Sequence, residues 1–392
     1  MSAAVQMTYA QAAALALSQA MEQNPHLIAL GEDLGRGGVF GQYRDEGGTP
    51  LVQRFGADRI IDTPISESTI VGAAVGMALA GCTPVVELRV VDFALCAIDE
   101  IVNQAAKNRY MFGGQGRVPM VMRMPIGIWS ASAAQHSQSL EAWFAHIPGL
   151  VVVAPATPAD NHGLLLAALA SGDPVVYMEH KELWATPGPV TPGEVVPLGQ
   201  ARVARAGTHV TIVSWSRQML ACLEAADQLA AQGVQAEVID LRTLWPWDKA
   251  AVLNSVTKTG RLLVVHEAVR VAGFGAEIAA TVAEETGARV ARLGAPRIPV
   301  GYASSLEAEA RVTATQIVDA VMNGALTNGV LQRMMILAPV VRAQKGFHKD
   351  VLEDAQSKGW GRVRVAPGGK DPAVLEIREV LKKGGENPLG LG

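Results

Sequence analysis

The chain has 392 residues, of which 49% are hydrophobic and 18% charged, and a formal net charge of −4. That length exceeds one ordinary core and leads us to expect two domains plus an additional piece. The composition is that of a globular protein, and the small net charge gives no global reason to expect a polyanionic partner or nucleic acid.

Apolar runs bounded by turn residues alternate with helix-period segments, the pattern of parallel α/β layers. The first half predicts a helix over 9–23, a strand over 27–30, a helix over 69–80, a strand over 84–88 and a helix over 94–107. Strands over 119–124 and 151–154, a helix over 158–171 and a strand over 175–178 follow. From about Trp184 to Gly207 the chain is rich in Pro, Gly and Val without amphipathic period, which reads as a linker. A second α/β unit has expected strands over 210–213, 236–239, 262–265 and 290–293, and helices near 218–232, 276–285 and 313–322. The expected division is a first domain over 1–185, a linker over 186–206, a second domain over 207–325 and an appended tail over 326–392. From Val330 onward there are eleven Lys/Arg against seven Asp/Glu, so the tail is basic while the remainder is acidic.

Cys82, Cys96 and Cys222 are widely spaced and form no CxxC pair. This excludes a disulfide framework and a cysteine zinc site, and it fits a reducing cytoplasm. No basic, apolar leader precedes the first helical pattern. The longest apolar stretch, 71–80, is too short and too glycine-rich to span a bilayer, so no membrane association is expected.

Some familiar motifs fail on inspection. The glycines at 35, 37, 38 and 41 follow a strand, but Phe40 stands where a dinucleotide-binding loop needs its third glycine. They read as a turn requiring positive φ. His266-Glu267 opens like a zincin motif, but Arg270 replaces the second histidine and the segment closes a strand. There is no GxSxG elbow and no P-loop, so hard chemistry here would fall to a cofactor.

Two polar constellations remain. DTPISE at 62–67 runs into a helix whose side chains are nearly all small: Gly72, Ala73, Ala74, Gly76 and Ala78. Ser66 and Glu67 read either as a helix start, capped by Ser66 with Glu67 favouring the positive helix end, or as a carboxylate that a flat ring or a second subunit approaches. AAQHSQ at 133–138 reads either as a structural loop or as an acid/base histidine, His136.

These segments resemble the β subunits of the 2-oxo-acid and acetoin dehydrogenase E1 enzymes, within the transketolase-like superfamily. The matching text includes GED at 31–33, DTPISE at 62–67, DFALCAIDEIVNQAAKNRYMFGG at 92–114 and AAQHSQSLEAWFAHIPGL at 133–150. It continues with EHK at 179–181, VIDLRTLWP at 238–246 and KTGRLLVVHEA at 258–268, and covers roughly residues 5–325. The resemblance implies a transketolase-like pyrimidine-binding domain on a parallel sheet, followed by a transketolase C-terminal α/β domain. It implies thiamine diphosphate as cofactor, with Glu67 hydrogen-bonding N1′ of the aminopyrimidine and Phe93 packing on its face. Cys96 lies beside the cofactor, and His136 lines the channel and assists transfer to a lipoyl-bearing E2 acyltransferase. It also implies a potassium site at the turn formed by Ala168, Leu169, Ser171 and Asp173. The family holds the diphosphate and Mg²⁺ with a GDG sequence, which occurs nowhere in this chain. An E1 α subunit, in an α2β2 heterotetramer, is therefore the expected partner.

Departures from the family pattern leave the substrate open between acetoin, pyruvate and branched-chain 2-oxo acids. Cys96 replaces the Gln of pyruvate dehydrogenase β chains and is closer to acetoin dehydrogenases, Glu100 replaces a common Gln, and Trp184 a common Tyr. In the tail, residues 336–342, Lys345-Gly346 and 362–365 resemble a short stretch of the UvrA excinuclease ATPase. No ATP-binding motif accompanies them, so the expectation is a fused remnant without repair activity.

Overall fold

The computed structural model describes residues 3–323, together with 353, 356–357, 362–365 and 373–376. The chain divides into two compact units, Met1–Asn328 and Gly329–Gly392. In the second, β15 (Arg362–Val365) and β16 (Ala373–Glu376), numbered in chain order with the strands below, pair antiparallel. The boundary expected at 325/326, residues 336–342 and Lys345-Gly346 lie outside the described residues.

The first lobe begins with β1 (Val5–Thr8) and α1 (Tyr9–Gln23). Thr8 and Gln11 form a reciprocal capping box, each side chain accepting the other's backbone N–H, so two donors left open by the helix start are satisfied. Then come β2 (Leu27–Gly31), α2 (Val52–Phe55), β3 (Ile60–Asp62), α3 (Glu67–Leu79) and β4 (Thr83–Glu87). A 3₁₀ turn over Val91–Ala97, a π-helical stretch over Glu100–Ala105 and α4 (Asn108–Met111) lead into β5 (Val121–Arg123). The lobe continues through α5 (Glu141–Ala145), β6 (Val151–Val153), α6 (Pro158–Leu169), β7 (Val175–Tyr177) and β8 (Pro187–Val190).

The second lobe holds β9 (Arg202–Arg205), β10 (Val210–Ser214), α7 (Gln218–Ala230), β11 (Ala236–Asp240), β12 (Thr243–Trp245) and α8 (Lys249–Thr259). It closes with β13 (Arg261–Val269), α9 (Gly275–Thr286), β14 (Arg289–Ala295), α10 (Ser304–Glu309) and α11 (Ala314–Met322).

Two parallel-rich sheets result. The first has the order β12-β6-β7-β5-β4-β2-β3, and the second β14-β13-β10-β11-β9. Their central strands, such as β5, β7, β10 and β11, are buried along their whole length, which is why the sequence shows runs of Val and Ile rather than alternation. Each sheet ends in one antiparallel edge strand, β12 against β6 and β9 against β11. Because β12 leaves the second lobe's sequence to join the first lobe's sheet, the lobes are interlocked. Their cores merge there too, with Val152 and Ala154 in one cluster with Trp215, Leu241, Leu244 and Phe274.

The structure departs from the sequence reading in several places. The segment read as a linker contains β8, which pairs with β1, and β9; short strands rich in Pro and Gly carry no periodic signal. The helix expected over 94–107 is broken into 3₁₀, π and α pieces. β1, α2, β3, α5, β12, α8 and α10 have no counterpart in the sequence reading. Finally, Ser66 does not cap α3 through its side chain; its hydroxyl donates to the Pro64 carbonyl at 3.1 Å. Among the described residues no helix is long and apolar enough to cross a membrane.

Candidate active site

Five parallel strands, β2, β3, β4, β5 and β7, end on one side of the first sheet, and the segments leaving them line a cleft of about 820 Å³. Ligands of open α/β sheets bind at this side. β2 can exit tightly beside β4 because Gly31 lacks a side chain: a Cβ there would sit 2.3 Å from the Glu87 carbonyl oxygen. The glycine-rich segment after β2 is a turn, with Gly37, Gly38 and Gly41 at φ of 95°, 74° and 79°.

Glu67, Phe93 and His136 all line this cleft. Glu67 opens α3 and is 8% exposed, and its carboxylate carries no side-chain hydrogen bond or ion pair among the described residues. Phe93 leaves the 3₁₀ turn after β4, and its ring meets the His136 imidazole edge-on, centroids 5.1 Å apart. Cys96, expected beside the cofactor, lies one turn further on at an exposed position outside the cleft's lining. Val91, Ala94 and Ala97 take the buried side of that turn.

Several cleft residues escaped the sequence reading or were only quoted within a motif. Glu32 Oε1 is buried without a partner, and burial, then the nearby Glu67, raise its carboxyl pKa. Phe40 and Trp129 form an aromatic wall, and Phe40 stacks at 5.0 Å on Trp184. The unusual Trp184 thus acts from behind Phe40. Lys181 donates to the His136 carbonyl, and burial lowers its pKa despite Asp92 and Glu267 nearby. Gln138 Nε2 donates to Asp92 Oδ1 at 2.8 Å.

Beneath the cleft lies a buried ion triad. Arg123, fully buried, gives two 2.8 Å hydrogen bonds to Glu179 and approaches Glu87 at 3.2 Å. Gln42 donates to Glu87 at 2.9 Å. Burial pushes the Glu87 carboxyl up to about 7 against the pull of Arg123. Removing one member of such a group costs about 3–5 kcal/mol because it strands the others. Its sequence signal was available: charged residues that close, or lie just past, otherwise apolar strands.

Ala168, Leu169, Ser171 and Asp173 lie at the end of α6 and the turn before β7. The Ala168 carbonyl accepts the Ser171 N–H at 3.1 Å, Ser171 Oγ accepts the Asp173 N–H at 3.2 Å, and the Asp173 carboxylate pairs with Arg109. Among the described residues no group of three or more His, Cys, Asp or Glu is placed to hold a metal ion.

The model of the transketolase pyrimidine-binding domain matches residues 5–186, and that of the transketolase C-terminal domain residues 199–317. A solved structure described as a split-gene transketolase, inactive β4 tetramer, has a TM-score of 0.69 at 23% identity, covering 81% of this chain and 98% of that one. That likeness is one of fold. Fold and cleft together thus define a transketolase-like α/β enzyme subunit with a pyrimidine-binding domain.

The relatives narrow the class. The β subunit of acetoin:2,6-dichlorophenolindophenol oxidoreductase from Cupriavidus necator is 44% identical over 303 residues, 74% of this chain and 89% of the relative. A mitochondrial pyruvate dehydrogenase E1 β subunit from Oryza sativa is 40% identical over 329 residues, 81% and 85% respectively. The 2-oxoisovalerate dehydrogenase β subunit of Bacillus subtilis is 38% identical over 309 residues, 77% and 93%. The chain belongs to the thiamine-diphosphate-dependent family of E1 β subunits of acetoin and 2-oxo acid dehydrogenases, which are oxidoreductases. The UvrA interaction domain model matches residues 313–371, so the tail likeness starts inside the second lobe, at α11.

Proposed function

We propose that this chain is the β half of an α2β2 E1 enzyme that cleaves the carbon–carbon bond beside the carbonyl of acetoin or a 2-oxo acid and passes the acyl group to a lipoyl-bearing E2 in the cytoplasm. The observation that carries this reading is the gathering of Glu67, Phe93 and His136 in one cleft. An aminopyrimidine fits the groups present: an unengaged carboxylate, a neighbouring aromatic ring and the unpartnered Glu32 Oε1. When bound, thiamine diphosphate supplies an electron sink next to the substrate carbonyl. With the cofactor bound, Glu67 would hold the proton at N1′ and Phe93 would pack on the aminopyrimidine face. His136 would donate a proton to the sulfur that departs when the dithiolane takes the acyl group.

An α subunit supplies the diphosphate site and Mg²⁺, since the chain has no GDG sequence and a diphosphate needs a divalent cation or equivalent charge beside it. A potassium ion held at Ala168, Leu169, Ser171 and Asp173 is part of the proposal and requires Arg109 to release Asp173. The domain division at 186–206 is likewise retained as a proposal, with β8 and β9 inside it. The tail takes no part in turnover. The test is co-expression with a GDG-containing α chain and assay against acetoin, pyruvate and 2-oxoisovalerate. Turnover of at least one substrate only when both chains are present supports the reading; turnover by this chain alone refutes it.

A further inference from the structure

The loop carrying His136, residues 127–138, holds Ser130, Ala131 and Ala133 at φ of 47°, 54° and 60°. None is glycine, and side-chain-bearing residues avoid this left-handed region. Bonds within the loop, from the Gly127 N–H to the Gln138 carbonyl and from the Ser132 N–H to the Trp129 carbonyl, and Lys181 on the His136 carbonyl hold part of this shape; the stretch at 128–131 needs further anchors. Two carboxylates from the second lobe supply them. At the end of β13, Glu267 Oε1 accepts the Ile128 N–H at 2.8 Å and lies 3.3 Å from the Ser139 hydroxyl. From α10, Glu307 Oε2 accepts the Ala131 N–H at 2.8 Å.

Both carboxylates are themselves locked. His180 Nε2 lies 3.0 and 3.1 Å from the two Glu267 oxygens, and His180 Nδ1 accepts the Glu182 N–H, which leaves the proton on Nε2. Gly127 is required for this contact, because a Cβ there would sit 2.0 Å from His180 Nε2. Burial alone would raise the Glu267 carboxyl, but His180 and the Ile128 N–H bring it down to about 2. Glu307 Oε1 accepts from Arg311 at 2.9 Å; Arg311 also bonds Glu182 at 2.7 Å, and Glu182 is paired with Arg217 at 2.8 Å. Neither Glu267 nor Glu307 lines the cleft.

We infer that Glu267 and Glu307 are positioning residues: the second lobe holds the His136 loop in its working shape through two backbone N–H groups. This rests on the reading of His136 given above. Glutamine at 307 offers one acceptor oxygen to the Ala131 N–H and Arg311, which now take one oxygen each, so one donor is stranded. Glutamine at 267 removes the negative charge from the oxygen that the Ile128 N–H, Ser139 and His180 share, which weakens those bonds.

The test uses the full chain with its α subunit. In Glu307→Gln and Glu267→Gln, amide hydrogen exchange of the peptide covering 127–138 should accelerate about tenfold or more while β10 stays unchanged. The kcat for the complete lipoyl reaction should fall about tenfold to a hundredfold, with KM for the small substrate within about twofold. In a His136→Ala background, adding Glu307→Gln should cost less than about twofold further. Unchanged exchange of the loop, or a full additional loss in the His136→Ala background, would overturn the inference. Faster loop exchange together with an undiminished His136→Ala enzyme would uphold the bracing and refute the role given to His136.

Discussion

In the first lobe, polar side chains gather where five parallel strands end and face a common cleft; in the second, equally polar side chains are turned inward or toward the neighbouring lobe. Every residue lining the cleft lies between Glu32 and Lys181. The second lobe satisfies Thr211 with Ser255 and Thr259 at 2.7 Å each, packs His266 against Trp215 with centroids 5.4 Å apart, and sends Glu267 and Glu307 across to the other lobe's backbone. Two sheets of similar construction thus divide the work. One gathers polar groups around a cleft, and the other sends two carboxylates across to a loop of the first.

The largest way to break this contrast is at Glu67. Glu67→Gln should fold normally, yet turnover with the α subunit should drop by about 10²–10⁴, the range for loss of acid/base assistance. Near-normal turnover in a steady-state assay would mean that the cleft's unengaged carboxylate is idle. A smaller, selective effect belongs to His136. His136→Ala should slow the complete reaction with lipoyl-E2 more than reduction of an artificial acceptor dye, because the carbon–carbon cleavage relies mainly on the cofactor. Equal losses in the two assays would move His136 to the shared early steps.

How much of this was written in the sequence differs between the lobes for the same reason. α1, α3, α6 and the central strands carry strong periodic or continuous apolar patterns and are where the sequence places them, because burial alone decides them. β1, β3, β8, β9 and β12 are three or four residues long; their pairing is set by long-range contacts that no local pattern records. The stretch 94–107 reads as one helix, but the chain over 91–105 is broken into 3₁₀ and π turns that bring Phe93 to the cleft while burying Ala94, Ala97 and Ile101. Glu67, Phe93 and His136 were legible through the family resemblance. Glu267, Glu307 and His180 were not, since their roles consist of hydrogen bonds to residues up to 176 positions away.

The junction between the lobes also sets a pH dependence. Burial raises the Glu141 carboxyl to about 7, although Trp215 Nε1 donates to it at 3.1 Å. The folded state therefore holds this proton more tightly than the unfolded chain, so the stability it confers is lost as pH rises from the ordinary carboxylate range through about 7. Glu141→Gln, which mimics the protonated form, should lack that fall and be more stable at pH 8 by about 3 kcal/mol. Denaturant titrations of both proteins at pH 5 and pH 8 check this; a gap that does not widen with pH would place the Glu141 proton elsewhere. The smallest effect is expected from truncation after Asn328. Both lobes are complete by α11, so α-subunit binding by gel filtration and turnover should be unchanged, and loss of assembly would give the tail a structural role.

The central claim is that this cleft is half of a cofactor site, with the pyrimidine end here and the diphosphate end on an α subunit. Calorimetric titration of thiamine diphosphate with Mg²⁺ into this chain alone, and into the chain with its α subunit, tests it directly. The account predicts weak or undetectable binding to the isolated chain and tight binding to the assembled pair, weakened again by Glu67→Gln. Tight binding to this chain alone would contradict it.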